Sequence, residues 1–334
     1  MRLSILDQAP ISTNQTPQQA LMAALQLAQA GENLGYARYW IAEHHDLTGL
    51  ACPAPEIMLS YIGAHTTSIR IGSGAVLLPH YKPYKVAEVF NLLATLFPGR
   101  IDLGIGRAPG GTTEATNALS DNFLKNVWDM PEKVRDLLYF LDDNFPAEHP
   151  YAKLSAAPIP PIAPVTWLLG TGKKSAMLAA EYGIPFAFGL FMSDSDGAAI
   201  IKQYKEAFKP RNQGQKPKVI LTVSAICAET NERAEELALS PIIWSIQRGK
   251  GEGLNGVPSI EEAKQYALTE KEQTALQKMK QKMIIGNPQI VSQKLKVVQT
   301  KYHADEIMIV TITHDPMDKI KSYQIIADMI LNKA

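Results

Sequence analysis

Short apolar runs rich in β-branched and aromatic residues alternate along this chain with longer segments whose apolar positions recur at helical spacing. LSILD at 3–7 predicts a first strand. Pro17–Leu34 predicts a helix, with Thr16 as N-cap, Pro17 in the first turn and Gly35 closing it. RYWIAE at 38–43 reads as strand two, Pro55–His65 as a helix, Ile69–Leu78 as strand three, Pro83–Phe97 as a helix and Ile101–Ile105 as strand four. Residues 107–130 carry glycine, threonine and polar side chains with weak periodicity, and predict a long loop before a helix at Pro131–Asp142. A proline-rich, extended stretch at 146–164 leads into strand five, VTWLLG at 165–170, and a helix at Lys174–Tyr182. FAFGL at 186–190, VILTVSAIC at 219–227 and IMIVTI at 307–312 supply strands six, seven and eight. Residues 245–283 interrupt the rhythm before a helix at Pro288–Tyr302.

Alternation of this kind predicts parallel βαβ units, and eight of them predict an α/β fold of the TIM (β/α)8 barrel type. Such a barrel takes roughly 250 residues. The surplus in 334 residues goes to insertions at about 107–130 and 245–285, after strands four and seven, within a single domain spanning 1–334. A boundary in the proline-rich stretch is the alternative, although each half would then hold only four strands.

Composition narrows the partners. Lys plus Arg and Asp plus Glu each number 33, so no excess positive field exists to gather nucleic acid or an anionic membrane, and a small-molecule partner is expected. No apolar run reaches transmembrane length, and MRLSILDQAP turns polar at Asp7 before a signal-peptide core can form. Cys52 and Cys227 lie far apart and match no zinc or redox spacing, so reduced thiols in a cytoplasmic protein are expected.

Barrel chemistry belongs at the C-terminal strand ends. Strand two ends in Glu43, His44, His45 and Asp46, where alternation sets Glu43 and His45 on one side and His44 on the other, so one histidine faces the barrel mouth. A catalytic group and a satisfied structural histidine both fit. Zinc fits poorly, because adjacent histidines diverge and no third ligand follows at useful spacing. Interior Gly72 and Gly74 mark either a close ligand approach or a bulge. Gly104, Gly106 and Gly110 resemble a dinucleotide fingerprint, but they end the fourth strand and lead into a loop, so the better reading is Arg107 facing a phosphate or carboxylate. Gly170, Thr171 and Gly172 run into a helix carrying Ser175, which suits an anion or a plain capped turn. Phe191 and Met192 after strand six read as an apolar wall or as core.

Four segments taken together resemble the bacterial luciferase-like flavin monooxygenase family: WIAEHH at 40–45, IGSGAVLLPHYKP at 71–83, PGRIDLGIGRAPGG at 98–111 and LLGTGKKSAMLAAEYGIPFAF at 168–188. The resemblance implies a barrel that uses reduced FMN and O2, through a flavin C4a-hydroperoxide, to oxygenate an organic substrate. It implies a separate flavin reductase and a homodimer formed through the first helices. His44 matches the family's catalytic histidine, with a pKa near neutrality suited to acid–base work. Arg107, Gly170, Thr171, Gly172 and Ser175 match its phosphate site, and Gly74–Ala75 matches a non-prolyl cis peptide beneath the flavin ring. Glu43, His45 and Phe191 are the expected substrate-pocket residues. Gly106 stands where the light-emitting members carry a reactive cysteine, which points to a non-luminescent branch. Deazaflavin- or FMN-dependent hydride transfer, and flavin binding without catalysis, remain open beside oxygenation.

Overall fold

In the computed structural model, which describes residues 1–331, eight parallel strands and their continuations close on themselves. β1 (Leu3–Asp7) pairs with β2 (Arg38–Ile41), and the order continues through β3 (Arg70–Ser73), β5 (Ile101–Gly106), β6 (Val165–Gly170), β7 (Phe186–Gly189) and β8 (Val219–Cys227). β10 (Glu306–Val310) then pairs with both β8 and β1, which shuts the TIM barrel. β5 and β6 are neighbours although the proline-rich stretch separates them in sequence, so strands from both halves of the chain share one sheet.

Strand alternation fills the barrel. Trp40 joins Leu6, Trp167, Ala187, Ile220, Met308 and Val310 in an interior core. Tyr39 and Ile41, on the opposite face of the same strand, pack in the larger core between sheet and helices. That outer layer comprises α1 (Pro17–Asn33), α2 (Pro55–Ala64), α3 (Pro83–Leu96), α6 (Met130–Asp142), α7 (Lys173–Glu181), α8 (Gly197–Ala207), α12 (Pro288–Tyr302) and α13 (Pro316–Ile330). The N-terminus of α1 is a full capping box, Thr16 with Gln19, as the Thr-Pro start predicts.

A buried ion network closes the floor. Arg38 donates to Asp102 at 2.6 Å and to Glu306 at 2.7 Å, Arg70 reaches Asp102 at 2.6 Å, and the Trp40 indole N–H donates to Asp102 at 3.0 Å. Gly72 serves this floor rather than a ligand: a Cβ there would stand 2.7 Å from both the Asp102 side chain and the Trp40 nitrogen.

Four local expectations need correction. Strand three does not run unbroken over 69–78. It stops at Ser73, passes a cis peptide at Gly74–Ala75 and resumes as β4 (Val76–Leu77), which pairs with β5. Strand two ends at Ile41, two residues before Glu43. The expected loop at 107–130 contains α4 (Thr113–Leu119) and α5 (Phe123–Trp128), and the second of these has no buried residue, which is why it left no periodic signal. In the second insertion α9 (Asn231–Gly249) runs past Ser245, and α10 (Ile260–Gln265), α11 (Glu270–Lys282) and β9 (Ile284–Gly286) follow, with β9 paired to the end of β8.

Candidate active site

The C-terminal strand ends surround a cavity of about 430 Å³. Each expected site residue except His45 and Gly172 lines it: Glu43, His44, Gly74, Ala75, Arg107, Gly170, Thr171, Ser175 and Phe191.

His44 is held by its neighbours. Its N–H donates to the Cys52 carbonyl at 3.0 Å, and the next N–H, of His45, donates to the Gly110 carbonyl at 2.9 Å, tying the loop after β2 to the loop after β5. The alternation read from sequence holds at the side chains. Glu43 and His45 share a side, with His45 Nε2 2.7 Å from Glu43 Oε1, while His44 turns to the cavity. Glu43 is otherwise occupied: it accepts the Tyr81 hydroxyl at 2.7 Å and the Leu77 N–H at 3.1 Å. Its carboxylate therefore fixes the backbone just beyond the cis Gly74–Ala75 peptide.

Electrostatics change one expectation. Burial pushes the His44 imidazole down to about 4, with the nearby Arg248 and His45 adding to the effect. Near neutral pH it is an uncharged ring, and its Nδ1 is buried without a hydrogen-bond partner. A neutral imidazole offers one donor and one acceptor. It can take up or deliver a proton on a bound molecule, but it does not present a standing positive charge.

A flat wall and an uncapped helix start follow from close packing. At Gly74 a Cβ would meet Leu6 at 2.7 Å, and at Gly106 one would meet the Ala75 Cβ at 3.2 Å, so this wall is nearly flat backbone. At Gly170 a Cβ would lie 2.4 Å from that of Ser175, so glycine lets α7 begin hard against the end of β6. The N-cap of α7 is Gly172, with no side-chain cap, which leaves the first-turn N–H groups available. Among the described residues Arg107 makes no hydrogen bond or ion pair. Arg107, Thr171 and Ser175 all line the cavity, and α7, with its uncapped first turn, begins beside Thr171. That donor set suits a phosphate. The lining fits FMN: a flat backbone wall suits a ring, the donor set suits a phosphate, and His44 lines the same cavity.

Several lining residues escaped the sequence reading. Gln8 directly follows β1 and Thr222 is an inward position on β8, so the strand-end rule and period-two alternation could have found both. Val127 could not be found that way, because it lies on the unpredicted α5. Among the described residues no group of three His, Cys, Asp or Glu side chains is arranged to hold a metal ion.

A closed barrel with its strand-end cavity, flat wall and phosphate-type cradle defines a TIM-barrel enzyme with a cofactor-sized site. The family described as luciferase-like monooxygenase matches residues 1–303, and the chain belongs to that family. It is 37% identical over 332 residues to an N-acetyl-S-alkylcysteine monooxygenase of Bacillus subtilis (strain 168), covering 99% of this chain and 98% of that one. The crystal structure of apo-MsnO8 superposes with a TM-score of 0.86 at 32% identity, over 99% of this chain and 98% of that chain. The fold is shared, at TM-score 0.73 and 19% identity, with the oxygenating constituent of 3,6-diketocamphane monooxygenase from Pseudomonas putida in complex with FMN, over 100% of this chain and 98% of that one.

Proposed function

We propose that the chain binds reduced FMN in this cavity and uses O2 to oxygenate a small organic substrate. The observation that carries the reading is that one cavity is lined by Arg107, by Thr171 and Ser175 at the uncapped start of α7, by the glycine-built wall at Gly74 and Gly106, and by His44. Gly170, Thr171, Gly172, Ser175 and Arg107 would hold the phosphate, and Gly74 and Ala75 would support the ring. Bound reduced FMN supplies two electrons with which O2 gives one oxygen atom to the substrate and one to water. This chain's own part is orientation, exclusion of water and proton delivery. The interior core below the cavity keeps water from the ring face. His44, which lines the cavity, would hold or move the proton there. Glu43 keeps the loop in place rather than reacting, because each of its oxygens is already engaged.

Anaerobic titration of reduced FMN, followed by admission of O2 with N-acetyl-S-alkylcysteines among the offered substrates, tests the reading. Saturable binding and O2-dependent oxygenated product are expected. Tight binding with O2-independent hydride transfer would instead favour the deazaflavin-type alternative. Arg107→Ala should weaken reduced FMN roughly 10- to 100-fold, the loss expected when charge-assisted phosphate contacts are removed. An unchanged affinity would remove Arg107 from the phosphate site.

A separate flavin reductase and a cytoplasmic location belong to the same proposal, the latter supported by two buried free thiols, Cys52 and Cys227. So does a homodimer. Ile57 and Tyr61 on α2, Leu92 and Leu96 on α3 and Met22 on α1 are exposed apolar side chains on adjoining helices, with the Tyr61 hydroxyl 3.8 Å from the Met22 sulfur. Light scattering should give twice the mass of one chain, and Leu96→Glu with Ile57→Glu should return it to a monomer. A wild-type monomer would refute the dimer.

A further inference from the structure

Space is the starting point. A cavity of about 430 Å³ is near the lower end of the range for sites that take one ligand, roughly 300–1,000 Å³. If FMN occupies it, as proposed above, most of the organic substrate must lie elsewhere.

A second cavity, of about 890 Å³, adjoins the first, and Phe191 lines both. β8 separates them lower down: Thr222 faces the first cavity and its neighbour Val223 faces the second, as alternation on one strand requires. Phe191 is the one lining residue the two cavities share, and its side chain packs against the interior core. Apolar side chains, among them Leu190, Val223, Met283, Ile290 and Val297, make up the larger part of the second cavity's wall, and Asn231, Glu235, Gln281, Lys282, Gln293 and Lys294 line its polar part.

Phe191 stands on a turn tied to both sides. Ser193 donates to the Thr171 carbonyl at 3.0 Å, in the phosphate-type cradle, and Asp194 pairs with Lys282 at the end of α11. The ring is thereby positioned against the anion cradle and against the insertion that builds the second cavity.

We propose that the cavity beyond Phe191 is the subsite for the apolar arm of the organic substrate, an alkyl or aryl group, while the reacting end lies over the flavin site. Phe191 is then a specificity-determining residue at the junction. The inference rests on the flavin reading, and its occupant follows from the Phe191 wall that the two cavities share and from the apolar part of the lining. Each methylene buried there adds affinity through removal of apolar surface from water, so long arms are preferred to short ones.

The test uses N-acetyl-S-methylcysteine and N-acetyl-S-octylcysteine as probes, with calorimetric titration into the FMN-loaded protein. The octyl probe should bind at least tenfold more tightly than the methyl probe. Ile290→Trp, which fills the subsite, should erase that preference while FMN binding is unchanged. Val297→Trp is the second filling variant, at a side chain 58% exposed and so without a folding burden. Equal affinities for the two probes, no binding of the octyl probe, or a preference that survives both variants would overturn the subsite. Failure of FMN itself to bind would show separately in the loading step and would overturn the flavin reading instead.

Discussion

His44→Ala should lower the rate of substrate oxygenation by about 10²–10⁴-fold, the usual contribution of a positioned acid–base group, while the affinity for reduced FMN changes less than threefold. The separation is expected because the residues proposed to hold the phosphate lie on β6, α7 and the loop after β5, whereas His44 is held by Cys52 on the far side of the loop after β2. Single-turnover kinetics with pre-reduced FMN check it, and unimpaired turnover would remove His44 from the chemistry. The same variant carries a stability signature. The folded-state imidazole titrates near 4, against an ordinary value of 6.5. Between those values the unfolded chain binds the extra proton, so this group's stabilising effect is present above pH 6.5 and is lost as pH falls towards 4. The difference in unfolding free energy between wild type and His44→Ala should therefore shift by about 3 kcal/mol across that window, against the wild type at low pH. A pH-independent difference would mean that the imidazole is not desolvated.

The barrel was legible because its strands carry a local signal. Runs such as VILTVSAIC are buried on both faces and read as continuous apolar segments, and the helices between them bury a stripe. Strand-end logic then placed Glu43, His44, Arg107 and the Thr171 turn at one mouth, and the resemblance supplied the cis peptide at Gly74–Ala75 that periodicity cannot see. What stayed hidden has nonlocal causes. α5 leaves Leu124 and Trp128 exposed and buries nothing, so no amphipathic stripe marks it. β9 is three residues long and exists only because it extends the pairing of β8. The titration of His44 depends on burial and on Arg248, which is remote in sequence, and a near-neutral value was the natural expectation from residue type alone. Gly72 shows the same limit: its glycine is required by Asp102 and Trp40, both of which approach it through the barrel interior.

That interior network is where a single substitution should cost the fold most. Arg38→Met should destabilise the protein by about 3 kcal/mol, because it takes the buried guanidinium away from buried Glu306 and from one oxygen of Asp102. Asp102 retains Arg70 and the Trp40 N–H, and Glu306 retains Ser4 and the half-exposed Arg2, so the loss is less than complete isolation of two carboxylates would bring. Against a typical net stability of about 5–15 kcal/mol this is a large fraction. Adding Glu306→Gln to Arg38→Met should recover part of the loss, since the uncompensated charge is then gone, and that recovery distinguishes electrostatics from lost packing against Trp167, whose ring centre lies 5.0 Å from the guanidinium carbon. Urea unfolding of the two variants measures both effects. Arg38 and Glu306 begin their strands and Asp102 is second in its own, whereas the cavity proposed for FMN lies at the opposite strand ends, so reduced FMN should bind the folded Arg38→Met protein with unchanged affinity. A loss below about 1 kcal/mol would place the network in the solvated range of ordinary surface pairs, and a weakened FMN site would show that floor and mouth of the barrel are coupled through its interior core.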